Sequence, residues 1–140
     1  MAYYSGDTTD LSFSASGDMN SNEFRFVKAA STGGLRPRID LATGGSGPAP
    51  IGVLQNDPKS GGEAKVRVTG ITMLAINGDA TITYGDFLTS NSVGHGIVTS
   101  TAGSNPYQAI ALEDVVAGAG SGVLISAMLQ NGTVHADNTP

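Results

Sequence analysis

Apolar and polar residues alternate in short runs along most of this chain, and turn-forming residues cut the runs at intervals of about 8–12 residues. Phe24, Phe26 and their alternates define a first run over residues 23–30, which Gly33-Gly34 turns into residues 35–41. Pro37 lacks a backbone N–H, so this second segment is an edge strand or a loop. The stretch 43–50, Thr-Gly-Gly-Ser-Gly-Pro-Ala-Pro, is a flexible loop. Farther on, residues 71–76 and 80–84 flank Asn77-Gly78-Asp79. Asn-Gly between apolar strands predicts a tight hairpin with both turn residues at positive φ. A second hairpin is predicted across residues 87–90 and 97–100, turned by Val93-Gly94-His95-Gly96, and Gly103-Ser-Asn-Pro106 marks a further turn.

One unit occurs twice, 57 residues apart. Gly52-Val-Leu-Gln-Asn-Asp57 is followed by a turn at Gly61 and by Val66 and Val68; Ala109-Ile-Ala-Leu-Glu-Asp114 is followed by a turn at Gly118 and by Val123 and Ile125. Each copy reads as a strand, an acidic corner, a Gly-rich turn and a second strand. The apolar spacing of residues 108–117 also permits a short helix, but the aligned copy holds Pro58 and Gly61-Gly62, which a helix does not tolerate. The fold class is therefore all-β: a small β-barrel or sandwich made of two similar strand-turn-strand halves. Asp57, Gly61, Asn77, Gly78, Asp114 and Gly118 are its predicted structural turns, with each Asp bonding the backbone two residues on.

The domain so defined spans residues 23–130. Before it, residues 1–22 are rich in Ser, Thr, Asp, Asn and Gly, with isolated Tyr3, Tyr4, Leu11, Phe13 and Met19. They read as a flexible N-terminal arm, either a frayed end or a segment that orders on a partner through its aromatic residues. After it, residues 131–140 form a short polar C-terminal tail.

Composition narrows the class further. The 140 residues include 20 Gly and no Cys, and charged residues make up 14%, against roughly 25% in an average domain. Disulfides and thiolate chemistry are excluded. No apolar run approaches the ~20 residues of a membrane span, and the N-terminus has no secretory pattern, so synthesis in a cytoplasm is expected. All seven basic residues lie between Arg25 and Arg67, while residues 68–140 hold five acids and no base. This split is either drift on a solvated surface or a basic face that docks on an acidic face of a neighbour. With a net charge of −5, nucleic-acid binding is not expected.

No catalytic constellation is present. His95 lies between glycines in a turn and His135 in the tail, so no metal site is expected. Ser46 misses the nucleophile-elbow pattern because Pro48 stands where Gly is needed. The phosphate loop is absent, and Gly118-Ala-Gly-Ser-Gly122 leads into a strand rather than a helix. Glu113 and Asp114 are adjacent, which on a strand sends them to opposite faces. No enzyme activity, cofactor or metal is expected.

Residues 50–130 resemble the capsid cement, or head decoration, proteins of tailed bacteriophages. The resemblance is carried by Ile51-Gly-Val-Leu-Gln-Asn-Asp57 with its Gly-Gly turn, Ala64-Lys-Val-Arg-Val-Thr-Gly70, Thr83-Tyr-Gly-Asp-Phe-Leu88, and Ile110-Ala-Leu-Glu-Asp114 with residues 123–129. It implies a virion structural protein, a homotrimer on the outer capsid surface that clamps neighbouring subunits of the major capsid protein. Tyr3, Tyr4, Leu11 and Phe13 are then the candidate capsid contacts. Arg25, Lys28, Arg36, Arg38, Lys65 and Arg67, with Asp79, Asp86 and Glu113, are the candidate contacts between trimer subunits. A phage fibre or adhesion-type β-module that binds a host-surface ligand is the alternative, although there is no Trp and the four Tyr are scattered.

Overall fold

Two rings of five strands share one long strand. In the computed structural model, which describes residues 7–30, 37–45, 47–101 and 103–135, the first ring contains β1 (Thr9–Ala15), β2 (Phe26–Ala29), β3 (Arg38–Leu41), β4 (Pro50–Leu54) and β5 (Glu63–Asn77). The second ring takes β5 again and adds β6 (Phe87–Ser90), β7 (Gly96–Val98), β8 (Ser104–Ala111) and β9 (Ser121–His135). Around the first ring the pairings run β1–β3–β2–β4–β5 and return to β1; around the second they run β5–β7–β6–β8–β9 and return to β5.

The two rings have the same topology. In each, one pairing is parallel, β1 with β3 or β5 with β7, and the other four are antiparallel. The β5 strand therefore closes the first barrel with its N-terminal half and opens the second with its C-terminal half. The handover falls at Gly70, where β5 changes partner from Thr9 of β1, opposite Thr69, to Leu129 of β9. Gly70 has φ 97°, and a Cβ there would lie 2.7 Å from Thr8 Cγ2, so the bend needs glycine.

Each barrel has its own apolar interior. Ala15, Met19, Val27, Ile39, Leu54, Ala64 and Val66 fill the first. Leu74, Ile76, Ile82, Leu88, Ala109, Ala111, Ile125 and Ala127 fill the second, and Phe26 and Val53 join that cluster. The inward residues of β5 follow one parity throughout: Ala64, Val66, Thr72, Leu74 and Ile76 are all buried. The Thr72 hydroxyl is the polar exception, and it accepts from Gln55 Nε2 (2.8 Å) and donates to the Met73 carbonyl (2.8 Å).

The repeated corners do the same work in both barrels. In the first, Gly61 N–H bonds the Ala15 carbonyl and Met19 N–H bonds the Pro58 carbonyl, each at 2.9 Å. In the second, Gly118 N–H bonds the Gly78 carbonyl and Ile82 N–H bonds the Val115 carbonyl, again at 2.9 Å. Met19 and Ile82 are the buried plugs that these bonds hold. The copies differ in length: Leu54 faces Val66, whereas Ala111 faces Ala127, so the second corner is four residues longer.

Several expectations are corrected. Asn77-Gly78 is not a hairpin turn, and neither residue has positive φ. Gly78 is instead a close-approach position, where a Cβ would meet the Gly120 carbonyl oxygen at 2.6 Å. Asp57 and Asp114 do not cap their own corners: Asp57 Oδ1 accepts from Glu23 N–H (3.0 Å) and Asp114 Oδ1 from Tyr84 N–H (2.6 Å). The strand after Pro37 is not an edge, because β3 lies between β1 and β2. Within residues 1–22, Thr9–Ala15 is a strand of the sheet, and within residues 131–140, β9 continues to His135. The hairpin of β6 and β7 forms as expected, with Leu88 opposite Val98. Asn91 Oδ1 holds its turn by accepting from Val93 and His95 N–H groups.

Candidate functional site

The acidic residues that looked available for chemistry are engaged by backbone. Glu113 Oε2 accepts from Ser126 N–H at 2.5 Å and Asp86 Oδ2 from Thr83 N–H at 2.8 Å. With Asp114 bonded to Tyr84, the Glu113-Asp114 pair braces strands and makes no acid–base couple. Among the described residues, no group of three or more His, Asp or Glu could hold a metal.

The polar cleft that most resembles a site lies where the barrels meet. About 310 Å³ in volume, it is lined by Glu23, Phe24, Arg25, Asp57, His95 and Leu124, among others. Phe24 adopts φ 68°, held there by bonds from its N–H to the Leu54 carbonyl (2.7 Å) and from Ala75 N–H to its own carbonyl (2.8 Å). His95 is 5% exposed. Its Nδ1 meets Ser121 Oγ at 3.1 Å, and burial, then the Arg25 charge, lowers its pKa. Burial, then Asp57, raises that of Glu23. The cleft joins the two barrels, and its hydrogen bonds tie Phe24 to Ala75 and Arg25 to Val93 across that joint.

Among the candidate subunit contacts, two basic groups are drawn to one acid of the chain itself. Arg67 is 15% exposed and clamps Asp10 with bonds of 2.8 and 3.2 Å, and Lys65 stands 3.9 Å from the same carboxylate. Hydrogen bonds from Arg67 to Asp10 hold that carboxyl's pKa below the ordinary value; burial opposes them, and the charges of Arg67 and Lys65 add lesser downward pulls. Arg25 Nη1 donates to the Val93 carbonyl (3.3 Å) and Lys28 Nζ to Thr43 Oγ1 (3.4 Å). Arg38 starts β3, Asp79 follows β5, and Arg36 lies outside the described residues.

Of the candidate capsid contacts, Tyr3 and Tyr4 lie outside the described residues. Leu11 and Phe13 pair with the inward Val66 and Ala64 and so face the mouth of the first barrel. Leu11 remains 45% exposed, and Phe13 lines a groove of about 400 Å³ with Ser12, Pro37 and Glu63.

Sequence reasoning missed the outer face of the second barrel. Phe87 and Tyr107 stack there with ring centroids 4.3 Å apart. The signal was available in residues 63–75, whose outward positions pass from Glu63, Lys65, Arg67 and Thr69 to Ile71 and Met73.

A doubled β-barrel whose polar groups brace its own backbone, and whose distinctive chemistry lies on outer surfaces, is a binding or structural module. Comparison with known proteins gives its class. The family model described as phage cement protein matches residues 4–126, and the chain belongs to that family. It is a phage virion structural protein, associated with the phage particle. The chain is also similar to the solved structure of the head fiber gp8.5 N base of bacteriophage phi29, with a TM-score of 0.60 at 18% identity over 89% of this chain and 95% of that one. That likeness is one of fold. Comparison with curated proteins found no match.

Proposed function

We propose that this protein binds the outer surface of the expanded phage head as a homotrimer and stabilises it by clamping neighbouring subunits of the major capsid protein. Membership of the phage cement protein family over residues 4–126 carries the reading. The physical design supports it. A cement turns nothing over, and this chain is a double barrel with neither strand ring left open, which protects it from stray edge pairing on a crowded shell. Tyr3 and Tyr4, with Leu11 and Phe13, supply adhesive groups that multiply in avidity when several copies act together. No catalytic step, cofactor, nucleic acid or membrane enters the function.

The test is protection of heads. Heads assembled without the protein are heated in its absence and after add-back of the purified chain, and rupture is followed by release of packaged DNA. Rupture shifted to higher temperature, saturating at a fixed ratio to the major capsid protein, is the expected result. Bound protein that leaves rupture unchanged points to a fibre or adhesion base, which a glycan array then separates.

A further inference from the structure

The cleft where the barrels meet gathers acidic groups that the chain leaves without a cation. Glu23 and Asp57 both line it. Burial, then the Asp57 charge, raises the Glu23 pKa, so the two carboxylates repel each other. Among the described residues, no Lys, Arg or His stands within salt-bridge distance of either. Arg25 lines the same cleft, but its Nη1 donates to the Val93 carbonyl. The wall formed by Ala75 and Leu124 belongs to residues 68–140, which contain no Lys or Arg.

His95 supplies a second, independent observation. It lines the cleft and is 5% exposed, yet its Nε2 has no hydrogen-bond partner. Buried polar atoms in folded proteins are bonded with few exceptions. His95 Nδ1 meets Ser121 Oγ, and when the ring donates Nδ1–H there, Nε2 is left as an acceptor. Burial, then the Arg25 charge, favours that neutral ring by lowering its pKa. The backbone around the cleft is strained as well. Ser21 and Phe24 line it with φ 73° and 68°. Positive φ is uncommon for a residue as bulky as Phe, and such strain gathers at ligand-binding sites.

We propose that this cleft binds the guanidinium of an arginine side chain presented by a partner protein. The unfilled groups are Glu23, the second oxygen of Asp57 and His95 Nε2. All are acceptors, so the ligand is a donor and, beside two carboxylates, a cation. A metal ion does not fit: among the described residues, no three of His, Asp and Glu come close enough to hold one. Acceptors spread over a cleft of about 310 Å³ suit a ligand whose donors are spread too. A planar guanidinium carries five N–H donors along its edges, whereas an ammonium is a point charge. Ala75 and Leu124 then flank the aliphatic stem. The site follows from these residues, and the cement reading is needed only to place the partner in the phage head.

Titration of the full, isotope-labelled chain with Nα-acetyl-arginine amide, followed by NMR, tests it. Saturable shifts at the Phe24 and His95 amides are expected, with a dissociation constant on the order of millimolar. Glu23→Gln removes a charge without removing a side-chain hydrogen bond of the fold, and it weakens binding about five- to tenfold. Nα-Acetyl-lysine amide binds more weakly than the arginine probe, and Nα-acetyl-glutamate amide leaves the cleft signals in place. If circular dichroism finds Glu23→Gln unfolded, Leu124→Lys replaces it, setting a rival cation beside the cleft from a position 44% exposed. Absence of cleft shifts at the highest soluble concentration of the arginine probe overturns the inference. So does wild-type affinity in a folded Glu23→Gln or Leu124→Lys chain. Tighter binding of the glutamate probe also overturns it, by making Arg25 and His95 an anion site. A chain that cements heads but takes no arginine sinks this inference alone, and one that takes arginine but never binds heads sinks only the cement reading.

Discussion

Asp57 and Asp114 each hold a backbone N–H on the segment leading into β2 or β6, at Glu23 and Tyr84. Both acids act at a distance in sequence, so each ties a corner to a loop of its own barrel. Asp57→Ala and Asp114→Ala are each expected to cost about 0.5–1.5 kcal/mol, read as a lower urea midpoint, with Asn recovering part of the loss because it keeps an acceptor. Two titrating groups give the pH response. The Asp10 carboxyl is held below its ordinary value of 3.8, first by its hydrogen bonds to Arg67, so its contribution is complete above that value and is lost as pH falls through the range beneath it. Asp10→Asn should flatten the acid limb of stability against pH. His95 has a lowered pKa because burial disfavours its charged form. The unfolded chain therefore takes a proton near 6.5 while the folded chain resists, and stability falls as pH drops below about 6.5. His95→Gln should remove that slope in urea midpoints measured at mildly acid and neutral pH. Glu23, whose carboxyl is raised, acts with the opposite sign.

At the scale of elements, the decisive strand is β1. It pairs with β5 over residues 9–14 and with β3 at Ser14 and Ala15, and Met19 beyond it is fully buried. Deletion of residues 2–22 is therefore expected to unfold the first barrel, seen as lost sheet signal and a collapsed urea midpoint. Deletion of residues 2–6 should weaken binding to heads, measured by co-sedimentation. The sequence hid β1 because its outward Asp10, Ser12 and Ser14 face water and its inward Leu11 and Phe13 sit at a barrel mouth, so it reads as a polar segment. The corner repeat was legible because turn geometry demands particular residues at Gly61 and Gly118. The larger repeat was not. Its equivalent strands, β1 with the C-terminal half of β5, and that strand's N-terminal half with β9, share topology but carry different outward residues. Asn77-Gly78 misled for a related reason: glycine is required there by the backbone of Gly120, and the residue pattern alone does not distinguish close approach from a tight turn.

At the scale of the whole molecule, two barrels are joined through one strand, and Asp10, Lys65 and Arg67 cluster on the outside of the first. Whether the chain cements a phage head is decided by co-sedimentation of the purified chain with heads of its phage, before and after shell expansion. Saturable binding to expanded heads alone, at a fixed ratio to the major capsid protein, is predicted. Absence of binding to both forms, with heads intact and the chain folded, would contradict it.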